Sequence, residues 1–215
     1  MTTSFDRTLI PAKPNLEFEK PLWDRGFRRI AGIDEAGRGP LAGPVAAAAV
    51  ILPDDPYVEA ALSGVRDSKQ MTATQRAYWA DCLKEIALAY GIGLGSVEEI
   101  DAAGILPATY LAVWRALAEL RLQPDHLLLD YITLPGFPKP QTSLVKGDAR
   151  CLSIASASVL AKTARDELLR DLDSQYPGYG FARHKGYGTQ EHLQALQRLG
   201  PCPIHRMTFH PLKPD

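Results

Sequence analysis

Cysteine is scarce in this chain: Cys82, Cys151 and Cys202 are an odd number, far apart, with no Cys-x-x-Cys spacing. That argues against a disulfide framework and against a zinc site, and leaves three ordinary reduced thiols. Long apolar runs are missing too. The longest, Val45 to Leu52, is too short to span a bilayer, and no basic segment followed by an apolar core opens the chain. The expectation is a soluble, cytoplasmic protein. A dominant charge is also absent: the formal net charge is −1, which gives no global signature of nucleic-acid binding.

What is present is enough for a core. With 215 residues, 46% of them hydrophobic, the chain is expected to form one domain over residues 25–215, preceded by an arm at residues 1–24. Pro11, Pro14 and Pro21 in that arm predict loose packing. The charge is unevenly spread. From Ala182 to Arg206, Arg183, Lys185, Arg198 and Arg206 face only Glu191, alongside His184, His192 and His205. From Asp81 to Asp101 acidic residues dominate, which fits either a basic face with an acidic back or solvated charge scattered by chance.

Arg29 to Ile33, Val45 to Leu52 and Leu88 to Val97 are apolar runs that suit buried strands, the third weakened by Gly91, Gly93 and Gly95. Thr72 to Ala87, Val97 to Ala103 and Pro107 to Arg121 suit helices, with Tyr78, Leu83 and Ile86 facing inward on the first and Leu111, Trp114 and Ala118 on the last. His126 to Asp130 and Thr142 to Val145 are shorter strands, each leading to an aspartate. Ser153 to Leu169 is a long proline-free helix. The glycine-rich stretch from Tyr176 to Thr189 is a loop, and Gln190 to Leu199 a helix closed by Gly200-Pro201. The order predicts an α/β fold, a mixed central β-sheet flanked by helices, with a C-terminal helical region from about residue 165.

Three strand ends therefore carry Asp34 with Glu35, Asp130, and Asp148. If these carboxylates converge they repel one another unless a cation joins them. Oxygen ligands without histidine or cysteine suit Mg²⁺ or Mn²⁺, and two such ions about 3.5 to 4 Å apart serve phosphoryl displacement. Asp34 and Glu35 would point to opposite faces of a regular strand, so a twist or break supplied by the following glycines is expected. Gly37-Arg38-Gly39 can bring backbone close to a sugar or phosphate. Asp67-Ser68-Lys69, Lys146 and Lys162 supply cations to phosphate or to solvent. Tyr187, in a basic glycine-flanked loop with Lys185, can stack on a nucleotide and bond a hydroxyl, or pack back onto the core. Trp23, Trp79 and Trp114 read as packing residues; His205 with Arg206 reads as a tether or a phosphate contact.

The chain resembles bacterial ribonuclease HII from about Leu16 to His210. The resemblance rests on Gly-Ile-Asp-Glu-Ala-Gly-Arg-Gly-Pro-Leu-Ala-Gly-Pro-Val from Gly32, Asp-Ser-Lys at 67, Gly-Ser-Val-Glu-Glu-Ile-Asp from Gly95 and Val-Lys-Gly-Asp at 145. Ser-Val-Leu-Ala-Lys at 158, Tyr-Pro-Gly-Tyr-Gly-Phe-Ala-Arg-His-Lys-Gly-Tyr-Gly-Thr from Tyr176 and Gly-Pro-Cys-Pro-Ile-His-Arg from Gly200 complete it. It implies an RNase H-like fold and endonucleolytic cleavage of RNA/DNA hybrids, and of duplex DNA on the 5′ side of a single ribonucleotide, leaving 3′-hydroxyl and 5′-phosphate ends. It further implies Mg²⁺ or Mn²⁺ on Asp34, Glu35, Asp130 and Asp148. The Gly37-Arg38-Gly39 turn and Tyr187 would read the 2′-hydroxyl, and Ser68, Lys69, Lys146, Lys162, Lys185 and Arg206 would contact substrate.

Three departures stand out. Tyr131 follows Asp130 where the family usually has glycine, Gln70 and Met71 replace Lys-Leu after Asp-Ser-Lys, and Gly104 and Pro107 replace asparagine and glutamine. The rival readings are another two-metal nuclease on the same fold and a nucleic-acid-binding module without catalysis. The short polar tail from Thr208 to Asp215 predicts a monomer.

Overall fold

Small residues decide where the layers of this protein touch. The structure, a computed structural model, describes residues 5–213; the outermost parts of the expected arm and tail, residues 1–4 and 214–215, lie outside it. Its elements in chain order are α1 (Lys20–Asp24), β1 (Ile30–Ala36), β2 (Val45–Ile51), α2 (Val58–Ala61), α3 (Ala73–Ile86), β3 (Ala89–Gly95), α4 (Val97–Ala103) and α5 (Ile105–Ala118). There follow β4 (His126–Asp130), β5 (Gln141–Leu144), α6 (Gly147–Arg150), α7 (Leu152–Gln175), α8 (Phe181–His184) and α9 (Gln190–Leu199). The strands form one mixed sheet in the order β3-β2-β1-β4-β5. β2 is antiparallel to both β1 and β3, while β4 is parallel to both β1 and β5.

Helix α7 covers one face of the sheet and α5 the other. A Cβ on Gly32 would stand 2.2 Å from the Ser153 backbone, so only glycine lets α7 lie directly on β1. On the opposite face, a Cβ on Gly91, Gly93 or Gly95 would meet the carbonyl oxygens of Ala116, Ala112 and Ala108 at 2.1, 2.1 and 2.4 Å. Two strand residues and four helix residues advance by nearly the same length, roughly 6.5 and 6 Å, so the glycine row meets the alanine row along its course. These glycines are the docking groove for α5, and the weakened strand expected from them is not found. The groove also corrects the inward face of α5: Ala108, Ala112, Val113, Ala116 and Leu117 are buried, whereas Leu111 and Trp114 are exposed. On α3, Leu83 is buried and Tyr78 exposed.

From Pro14 onward the arm does not pack loosely. Leu16, Leu22 and Trp23 join the core under α7, and buried Glu19 accepts the Ser153 N–H at 2.8 Å, satisfying a donor at the start of α7. The C-terminal region wraps the far half of α7 around Phe181, Tyr179 and Leu169. Because α7 runs unbroken from Leu152 to Gln175, the boundary expected near residue 165 falls inside a helix shared by both parts. The glycine-rich stretch holds the single turn α8 rather than loop alone. No helix among the described residues is long and apolar enough to cross a membrane.

Candidate active site

Strand register places the first two carboxylates. The parallel pair β1–β4 ends with Ile33 opposite Leu129, so Asp34 and Asp130 are the next step on neighbouring strands. Asp34 is buried and accepts the N–H of Glu35 at 2.8 Å, and the Ser158 hydroxyl on α7 stands near enough to it to favour its ionised form. Ser158 reaches it because Gly32, two residues earlier, lets α7 settle against the strand. β1 is not broken between Asp34 and Glu35, contrary to expectation: both stay in register with Ala48 and Ala47 of β2. The glycines follow only after Ala36. Glu35 lies 3.4 Å from the Arg38 guanidinium.

Asp148 sits on the one-turn helix α6, reached through a left-handed Lys146 (φ 58°), rather than on a strand end. The Gly147 N–H donates to Asp130 Oδ1 at 2.7 Å, which ties the third carboxylate to the turn that presents the fourth. Asp148 is buried; Lys69 approaches its Oδ2 at 3.5 Å, and its Oδ1 has no hydrogen-bond partner.

All four carboxylates are pushed above the usual range, in each case chiefly by burial. For Asp34 the neighbouring charges of Glu35 and Asp130 add to it, and for Asp130, pushed up to about 6, Asp148 adds to it. Arg38 partly offsets the burial of Glu35; Asp67 adds to that of Asp148, while Lys69 opposes it. As these side chains stand, no three histidine, cysteine or acidic groups among the described residues are gathered closely enough to hold an ion. The ammonium of Lys69 and the guanidinium of Arg38 are the cations now beside them.

Beside the carboxylates, two buried arginines shape the Gly37–Pro44 segment. Arg206 donates to the carbonyls of Gly37, Arg38 and Gly43 at 2.6, 2.9 and 2.9 Å. Arg165 donates to those of Pro44, Ala42 and Lys185 at 2.9, 2.9 and 3.0 Å. Of the two readings open for Arg206, the structure gives the tether and not the phosphate contact, since its guanidinium is enclosed and occupied. Arg165, read from sequence only as a helix residue, is the component that sequence reasoning missed; a buried arginine bonded wholly to carbonyls leaves no local signature.

The same loops hold Tyr187. Gly186 packs so tightly on Ala42 that a Cβ would stand 2.4 Å from its carbonyl oxygen, and Leu41 donates back to Gly186 at 2.8 Å. Tyr187 remains 43% exposed, with Lys162 5.7 Å from its ring centre. Its carbonyl is held by a relay. The Cys202 N–H donates to His205 Nδ1, so His205 Nε2–H donates to His192 Nε2 at 3.0 Å, and His192 Nδ1–H donates to Tyr187 O at 3.0 Å. Burial pushes His205 down to about 4 and His192 below its ordinary value, so these two histidines are neutral struts and a basic face loses both.

The remaining candidates divide. Arg38, Lys69 and Lys146 are exposed at the cleft. Lys162 is paired with Asp166 at 2.6 Å and Lys185 is bonded to Ala182 O, both at the edge of a cavity of about 350 Å³ that also holds Arg76 and Tyr187. Ser68 is buried against Ser158 at 2.9 Å; it braces that serine beside Asp34 and is closed to substrate.

Known proteins resemble this arrangement along nearly the whole chain. The family described as Ribonuclease HII matches residues 31–211. Ribonuclease HII of Synechococcus sp. (strain JA-3-3Ab) is 55% identical over 201 residues, covering 94% of this chain and 90% of its own. That of Syntrophotalea carbinolica is 54% identical, covering 90% and 91%. Among solved structures, ribonuclease H2 from Pyrococcus horikoshii aligns with a TM-score of 0.70 and 27% identity over 86% of this chain and 95% of that one. Bst-RNase HIII in complex with Mn²⁺ shares the fold at a TM-score of 0.63 and 18% identity, over 87% and 69%.

Proposed function

The chain belongs to the ribonuclease HII family and is an RNase H-type endoribonuclease; from that premise we propose that it cuts RNA/DNA hybrids, and duplex DNA on the 5′ side of embedded ribonucleotides, with divalent cations held by Asp34, Glu35, Asp130 and Asp148. The observation that carries this reading is the pairing of Asp34 and Asp130 on neighbouring parallel strands with Asp148 bonded in through Gly147. The residues fit cations: all four carboxylates are raised chiefly by burial, Asp34 and Asp130 also by the charge of their neighbours in the site, and Asp148 Oδ1 is buried without a partner. Lys69 would yield its place beside Asp148 and turn toward the substrate's phosphate. When bound, Mg²⁺ or Mn²⁺, taken here as two ions, supplies charge stabilisation and an activated water for phosphoryl displacement.

The protein's own groups account for the rest. A scissile phosphate on the 5′ side of the ribonucleotide is beyond the reach of that residue's 2′-hydroxyl, so water attacks phosphorus and the upstream 3′-oxygen leaves. The ends are then 3′-hydroxyl and 5′-phosphate. The 2′-hydroxyl is left free to be read by Tyr187 and by the Gly37-Arg38-Gly39 backbone that Arg206 and Arg165 hold in place. Arg38, Lys69 and Lys146 face phosphates. The same reading takes the protein as a cytoplasmic monomer serving ribonucleotide excision.

The test is cleavage of an end-labelled DNA duplex carrying one ribonucleotide, with Mg²⁺ or Mn²⁺, beside an all-DNA duplex and a continuous hybrid. One cut 5′ to the ribonucleotide is expected. Cutting of the hybrid alone would refute junction reading. Tyr187→Phe is expected to harm the single-ribonucleotide substrate more than the hybrid, and equal loss on both would remove Tyr187 from that role.

A further inference from the structure

Three non-glycine residues among those described adopt a left-handed backbone: Tyr131 (φ 60°), Lys146 (φ 58°) and Lys185 (φ 53°). Each stands within two residues of a site residue, Asp130, Asp148 and Tyr187 respectively. Strained backbone gathered in this way points to function. Lys185 is explained by the Arg165 bond to its carbonyl, and Lys146 by the turn that delivers Asp148. Tyr131 is not explained by anything in the fold.

Its conformation is costly and its side chain gives the fold little in return. The Ile132 N–H donates to Asp130 O at 2.7 Å, closing a γ-turn centred on Tyr131, and the Tyr131 N–H donates to Leu144 O at 2.9 Å. Glycine suits such a turn, whereas a bulky residue strains it. Yet the tyrosine is 72% exposed and belongs to none of the apolar clusters. A large aromatic held in an unfavourable backbone, bare to solvent and one residue from Asp130, has no folding reason to be there.

We propose that Tyr131 is a further substrate-contacting residue, its ring packing against a sugar of the bound duplex on the side of the cleft away from Tyr187. The sheet order sets the side. The Gly37 turn and Tyr187 gather at the end of β1, whereas Tyr131 lies between β4 and β5, where Asp130 pairs with Leu144. Val145 and Lys146, both exposed, follow Leu144 and complete a rim of aromatic, apolar and cationic groups. That set matches a nucleotide's sugar and phosphate.

The inference rests on the nuclease reading, so its test includes binding measured without cleavage. A fluorescein-labelled DNA duplex with one ribonucleotide is titrated by anisotropy in EDTA, and the same duplex is used for steady-state cleavage. Tyr131→Gly is expected to weaken binding and raise KM about tenfold with kcat within about twofold. Its Tm should rise as the turn relaxes, and Tyr131→Phe should recover most of the affinity because the ring makes the contact. Unchanged affinity in Tyr131→Gly would overturn the proposal. So would failure of Tyr131→Phe to recover it, or a loss confined to kcat, which would place the effect in Asp130. Parent protein that binds but does not cut would refute the nuclease reading while leaving the Tyr131 comparison decisive; parent that does not bind would overturn both.

Discussion

At the scale of single residues, the site is a set of carboxylates held where carboxylates are uncomfortable. Asp34→Asn keeps the shape and the bond from the Glu35 N–H while removing the charge. It should abolish cutting, by more than the roughly 100-fold typical of losing a metal's outer-shell partner, and leave the circular dichroism spectrum unchanged. Normal turnover would sink the metal assignment. Asp130 allows a test by pH. Its folded pKa of about 6 lies above the ordinary 3.8, so the native state holds a proton that the unfolded state releases between those values. This contribution to stability is therefore present at low pH and lost as pH rises through about 6. In EDTA at pH 7, Asp130→Asn should be more stable than the parent by about 1–3 kcal/mol, and the difference should vanish near pH 4 in denaturant titrations. The carboxylates themselves were legible in sequence as charged ends of apolar runs. Their nearness was not, because register between β1 and β4 depends on all the chain from Gly37 to Asp125 that lies between them.

At the scale of elements, glycine rows do what apolar periodicity could not reveal. The runs that form β1, β2 and β4 were plain from composition, and α9 begins and ends where its residues suggested. The face of α5 was misjudged because large apolar residues were taken as the buried ones. The strand opposite carries glycines, so the helix must present its small residues and turn Leu111 and Trp114 outward. Gly93→Ala would thrust a methyl group to 2.1 Å from Ala112 O. Differential scanning calorimetry should show a loss of about 2–3 kcal/mol for it, whereas Gly39→Ala, with nothing near its Cβ, should stay within about 0.5 kcal/mol. Equal effects would refute the docking groove.

At the scale of the whole molecule, the segments before β1 and after α9 brace the site. Arg206, near the C-terminus, fixes carbonyls of Gly37, Arg38 and Gly43, and Glu19, near the N-terminus, caps the helix that supplies Ser158. Arg206→Lys cannot reproduce three bonds from one planar group. It should cost about 2–4 kcal/mol in urea unfolding and lower activity on hybrid and single-ribonucleotide duplexes alike, since in the proposed reading the loop it holds serves both. A loss limited to one substrate would show instead that Arg206 touches that substrate. The sequence by itself determined the elements, the carboxylate inventory and the family likeness, because strand, helix and turn preferences act over a few neighbours and motifs lie contiguous in the chain. Only the tertiary structure decided which charges face solvent and which are enclosed. Arg165, Arg206, Ser68 and the three histidines look like surface chemistry in one dimension. Packing turned them into struts, because a group's exposure depends on what distant segments place against it.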